Sequence, residues 1–472
     1  MAFRLLCGLA VGLLTALSLA ADVIVLKSGR RIEAWGIEER GDRVFYETPS
    51  GRVGLPKRLI ERIERSGSAP RKGAQAARGA ARLPTPDLPG LSDADVGRVV
   101  EGGKVNRSLL ATLEREADRE GSEQARLRAA AAHLLAARLR ADRGETADAV
   151  ASVRRALVFA PNHPALLLYL AALEMEQQRF AAALDHLQPV LAQEEFAFAA
   201  YRLQGWIYYQ REEMDRAIAA WKKALARKQD SGLKSLLAQA EREATAAAGY
   251  RQQASGRFVL RYAEEEVERP RLAASILRAL DAMYDELAGT FNVVLREPIV
   301  VLLYPRQTFY DLTGMSPNVH AIYDGKIRVP VRGLSSLDAR LEQVLRHELV
   351  HAFIFFKCRN RAPHWLHEGL AQWHAGQRPP VSRQFFRALF EARDGSALAR
   401  IEAGFGGDAG QVSAAYAASW LVVDTLQRRY GRADMGDFLE ALARGESQAQ
   451  ALRSAFRLTY EDLDRDVYDA LR

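Results

Sequence analysis

In the segment RHELVHAF, His347, Glu348 and His351 set two imidazoles beside a carboxylate. Residues four apart on a helix share a face, so each His can aim one ring nitrogen at a common point. Zinc asks for that arrangement, at about 2.0–2.1 Å per nitrogen. Glu348 is rotated by about 100° from His347 around the helix axis, which lets it flank the metal and reach a water there without being a ligand. A catalytic zinc keeps three protein ligands and one open position. The third ligand is expected in HWLHEGLAQWH, where Glu368 falls 17 residues after His351.

The elements that must position these groups are two helices. Around the first motif, apolar residues recur at Leu337, Leu341, Val344, Leu345, Leu349, Ala352, Phe353 and Phe356 with no Gly or Pro. Ser335 with Asp338 three residues on is the pattern of a capping box and predicts the helix start. Pro363 breaks the chain and a second helix begins near Trp365. The connection is long enough for a tight return, so the second helix can lie antiparallel to the first. Gly369 inside it costs about 1 kcal/mol relative to Ala; with Ala371, it predicts a close helix–helix approach.

HELVH followed by WLHEGLA resembles the gluzincin metallopeptidases, the thermolysin-like class, and the WLxEGxA element is especially similar to their aminopeptidase branch and to small bacterial peptidase domains. The resemblance covers roughly residues 256–472. It implies one Zn2+ per chain held by His347, His351 and Glu368, with Glu348 as general base. The implied reaction is peptide-bond hydrolysis by water on the zinc: the metal polarises the carbonyl and Glu348 passes the proton to the leaving amine. It also points to Tyr416, in SAAYAASWLVVDTL, as donor to the tetrahedral oxyanion; a core aromatic at helical spacing is the other reading.

The chain departs from that pattern twice. It has no GxMEN element to anchor a free amino terminus, which favours endopeptidase action. Gln372 stands where thermolysin-like enzymes carry the Asp that orients the first His, so the partner of His347 is left unnamed. Five of the nine His lie between His347 and His374. Of these, His367 adjoins Glu368 and cannot face the same metal from one helix, and His364 and His374 are expected as surface or pocket groups. Cys358 has only Lys357 and Arg359 beside it and is read as a packed free thiol.

The remaining chain divides by texture. Residues 1–20, with Arg4 ahead of LLCGLAVGLLTALSLA, have the layout of a signal peptide, which implies a periplasmic or secreted (bacterial) protein; an uncleaved anchor is the other reading. Residues 21–65 are short β-branched runs separated by Ser28-Gly29, Gly41-Asp42 and Ser50-Gly51, expected to form a small barrel-like β module. Residues 66–95, rich in Gly, Ala, Pro and Arg, read as a linker. In residues 96–248, Ala149, Ala183 and Ala217 recur at 34, as do Val153, Leu187 and Trp221, and Ala156, Val190 and Ala224. With Gly205 and Tyr208, the region resembles a tetratricopeptide array, which implies a concave surface for a protein or peptide partner. Residues 250–472 open with strands FVLRYAE, PIVVLLY and KIRVPV among helices. The last could be an edge strand that pairs with extended substrate or an inner one. The fold class is therefore α+β in the peptidase region, preceded by β and all-helical modules.

The net charge of +7 is spread along 472 residues without a basic block, so no nucleic-acid partner is expected. Nor is a stable membrane span once the leader is removed. An exported chain left with one Cys must be held by its cores alone. Three functions compete: an exported zinc endopeptidase whose repeats recruit a partner, an inactive peptidase-fold scaffold whose repeats are the binding module, and another hydrolase on the same site. An intact Glu348 argues against a scaffold, because a structural zinc does not require it.

Overall fold

The computed structural model describes five strands between residues 22 and 64, Lys57, and residues 91–471 apart from 102–103, 268–269, 316–318, 320, 359–360, 380–382, 392–395 and 408. The leader at 1–20, most of the linker, and Ser28-Gly29, Gly41-Asp42 and Ser50 of the β module's turns lie outside the described residues. The N-terminal strands are Asp22–Leu26, Arg31–Arg40, Arg43–Thr48, Gly51–Pro56 and Ile60–Glu64. They form one antiparallel sheet in the order fourth, third, second, first, fifth. The last strand thus returns beside the first, with Ile24 opposite Ile63.

Nine helices are described from Asp93–Val99 to Ser231–Ala246. The first starts inside the stretch read as linker, because Ser92 and Asp95 close a capping box there. Three of the later helices start 34 residues apart, at Thr146, Phe180 and Met214. The recurring Ala149, Ala183 and Ala217 are fully buried, as are Ala156, Val190 and Ala224. Small side chains at these positions let neighbouring helices close up. Gly205 shows the limit: a Cβ there would collide with the Trp221 ring.

The second sheet has the order Ile322–Tyr323, Ile327–Val331, Ile299–Pro305, Phe258–Tyr262, Arg251–Ala254. Its three middle strands are parallel and its outer two antiparallel. Ile299–Tyr304 is buried throughout, the continuous apolar run expected of a parallel strand covered on both faces. KIRVPV is accordingly an inner strand, and the edge nearest the metal motif belongs to Ile322–Tyr323. Helices Pro270–Phe291 and Ala339–Cys358 cover the sheet, and six further helices run from Arg383 to Ala470. The observed class is mostly helical with small sheets, an α+β arrangement. No helix among the described residues is long and apolar enough to cross a membrane.

A polar knot ties the helical array to this sheet. Arg328, 1% exposed, donates to Asp324 through Nε (3.1 Å), to Tyr304 Oη (3.1 Å), to Tyr209 Oη (2.9 Å) and to Glu243 Oε2 (3.1 Å). Lys326 donates to Glu212 and lies 3.8 Å from the centre of the Tyr209 ring. Arg261 reaches the other oxygen of Glu212 at 2.8 Å. Three cations thus meet three carboxylates, and every charge has a partner of opposite sign.

Candidate metal centre and active site

Helix Ala339–Cys358 carries His347, Glu348 and His351. Its cap is Asp338, not Ser335: Asp338 Oδ1 accepts from Leu341 N at 2.7 Å and its carbonyl from Glu342 N at 3.0 Å. A carboxylate at the cap satisfies an orphan N–H and also complements the positive end of the helix dipole. Helix His364–His374 carries Glu368. Glu402 holds its start, accepting from His364 N and Trp365 N at 3.1 Å each. Gly369 lets it approach helix Ala409–Arg429, where a Cβ would collide with Ser419 O and stand 2.6 Å from Val423 Cγ2. Close approach is therefore the reason for this glycine, although the partner is Ala409–Arg429 and not the His-bearing helix.

The three expected ligands converge. His347 Nε2 and His351 Nε2 are 3.2 Å apart, and Glu368 Oε2 lies 3.5 Å from the first and 3.7 Å from the second. Among the described residues they form the one group of three donors close enough to share a metal ion. Tetrahedral ligands at zinc distances stand about 3.3 Å apart, so the triangle fits that ion without rearrangement. The donor set, two imidazoles and a carboxylate with no thiolate, is also that of a catalytic rather than a structural zinc.

The surroundings prepare these atoms. His347 Nδ1 pairs with Gln377 Oε1 at 3.0 Å; a ring N–H donated there leaves Nε2 with a lone pair facing the site. Gln377 is the missing partner of His347. No spacing rule pointed to it, because it follows the second helix in a turn, where Gln377 N donates to Gln372 O at 2.9 Å. Gln372 does a different job, donating to Glu368 O at 3.0 Å and Tyr416 O at 2.9 Å. His364 is no bystander: its Nε2 lies 3.3 Å from Glu368 Oε1, the oxygen turned away from the His pair. His367 stacks beside His351 with ring centres 5.7 Å apart. His374 packs between Phe291 and Trp373, away from the donors. Tyr416 is half-buried on a helix tied by its backbone to that of Glu368. Cys358 is buried, and burial pushes its thiol up to about 12, the behaviour of a packed free thiol.

Burial shapes the charges. It opposes the ionised form of Glu368, but His351, His347 and His364 outweigh it and hold that carboxyl well below the usual range. Burial pushes Glu348 up to about 7, His347 opposing and Glu368 and Asp324 adding to the shift. Burial also drives His351 down to about 3, favouring the neutral ring that a metal requires. The arrangement can hold one divalent metal and sets a buried carboxylate beside it, a group suited to proton transfer.

A comparison with curated proteins found no match. A family model described as the Peptidase MA superfamily matches residues 339–471. That stretch begins with the His-bearing helix and contains all four motif residues, so the C-terminal part of the chain is similar to that superfamily, a likeness that points to a peptidase-type function.

Proposed function

We propose that this chain is an exported, zinc-dependent endopeptidase of the gluzincin type. The observation that carries the reading is the convergence of His347, His351 and Glu368 at zinc-ligand separations, with the buried Glu348 beside them. Held by His347, His351 and Glu368, zinc would polarise the scissile carbonyl and acidify a water. Glu348 takes a proton from the attacking water on its carboxylate and delivers it to the leaving amine. Gln377 keeps His347 in the tautomer that presents Nε2. Tyr416 is the donor assigned to the developing oxyanion. The 34-residue recurrence supports a tetratricopeptide array that engages a protein or peptide partner, and the first twenty residues support export to the periplasm or medium.

The purified protein should contain about one zinc per chain and cleave unfolded casein. A chelator should abolish cleavage and added zinc should restore it. A chain that takes up no zinc sinks the metal site; one that binds zinc and never cleaves any unfolded protein is the inactive scaffold instead.

A further inference from the structure

Three turns of the helical array place a residue in left-handed backbone at 34-residue intervals: Gly144 (φ 75°), Gln178 (φ 56°) and Glu212 (φ 62°). Each of these turns meets the C-terminal half of the chain. Glu212 pairs with Lys326 and Arg261, and Gln178 Oε1 accepts from Arg296 N at 3.2 Å. Gly144 lies against Arg361. Because Gln and Glu occupy the same conformation one and two repeats on, the backbone alone does not demand glycine at 144. A Cβ there would collide with Ala443 O and stand 2.5 Å from Arg361 Nη1. Gly445, on the other side, would bring a Cβ to 2.8 Å of the same nitrogen.

Two glycines thus clear space for one guanidinium. Arg361 Nη2 donates to Asp142 O at 2.6 Å and Ala141 O at 3.1 Å, and Nη1 donates to Ala443 O at 3.2 Å. These carbonyls close helices Glu123–Asp142 and Gly431–Ala443, where the acceptors left over at a helix end and the negative dipole end attract a cation; Ala141 O also accepts from Gly144 N at 2.9 Å. Arg361 itself sits in the short connection between the two ligand-bearing helices, its own N–H bonded to Cys358 O at 3.0 Å.

We propose that Arg361 is a positioning residue for the metal centre. By fastening the connection to the array it sets where Glu368 stands relative to His347 and His351, so the array is part of the active-site scaffold. This rests on reading the His–Glu cluster as a metal site.

The test is zinc affinity of the full-length chain, by competition with a chromophoric chelator, beside thermal unfolding of the metal-free protein. Arg361→Ala and Gly144→Ala should each weaken zinc about 10–100-fold, the range for groups that orient ligands. The double variant should be no weaker than either single, since both break one contact. Arg361→Lys should recover part of the loss, because an ammonium lacks the planar fork that spans three carbonyls, and it settles the point should Arg361→Ala not fold. Arg126→Ala removes a comparable bond, to Phe159 O at 3.1 Å; it should lower the melting temperature and leave zinc affinity alone. If Arg361→Ala and Gly144→Ala melt earlier but bind zinc as wild type does, the clamp is only structural and the proposal is wrong while the metal site stands. A wild type that binds no zinc overturns both.

Discussion

Two of the buried ionic clusters among the described residues are built on different terms. Around Arg328, Lys326 and Arg261, each carboxylate is answered by a protein cation at hydrogen-bond distance. Around Glu348 and Glu368, among the described residues, the answering groups are imidazoles, with no Lys or Arg in an ion pair. The first is closed: its desolvation cost is offset inside the protein, and its charges are all committed. In the second, one carboxylate is held ionised and the other is lifted to about 7. Uncommitted lone pairs and a movable proton are what chemistry needs and what mere stability would remove. Asp324 acts on both, bonding Arg328 and raising Glu348 through its charge.

If that contrast is right, removing a charge from each cluster should have opposite consequences. The largest effect is expected from Glu348→Gln. The amide is nearly isosteric and burial already penalises the carboxylate, so zinc content and melting temperature should hold. Casein hydrolysis should nevertheless fall by about 10²–10⁴, the worth of general base catalysis. Wild-type turnover in this variant would remove Glu348 from the reaction. Next in size is Arg328→Met, which leaves Glu243 and Asp324 buried without their cation. Stability should drop by about 3–5 kcal/mol, visible as a lowered thermal midpoint, while the folded fraction keeps its zinc. An unchanged midpoint would mean that the knot is not what secures the array to the sheet. The smallest effect is expected from Gln377→Ala. His347 then loses the group that fixes its tautomer, and zinc affinity should weaken about 10–100-fold with little change in melting. Equal zinc affinity in this variant and wild type would show that His347 is oriented by something else.

Much of the site was legible because it is local. Helical φ/ψ repetition alone puts His347 and His351 on one face and turns Glu348 aside, so four residues of spacing carry most of the geometry. The 34-residue columns were equally readable, since small side chains at a fixed period reflect one packing solution used three times, and the turns at Gly144, Gln178 and Glu212 repeat with them. Local rules also misplaced things when two candidates competed. Ser335 and Asp338 both suit a helix start, and the carboxylate nearest the first turn won.

What only the tertiary structure decided is everything that depends on chain segments distant in sequence. That Glu368 turns one oxygen to the His pair and the other to His364, that Gln377 closes on His347, and that Glu402 holds the start of the Glu368 helix are results of how helices dock. The same holds for KIRVPV lying inside the sheet, for Gly369 yielding to Ser419, and for Gly144 yielding to Arg361. Spacing along one element determines directions around its own axis; it carries no information about which distant backbone will arrive to fill the remaining side, and at this site that side holds the third ligand and the groups that orient the first.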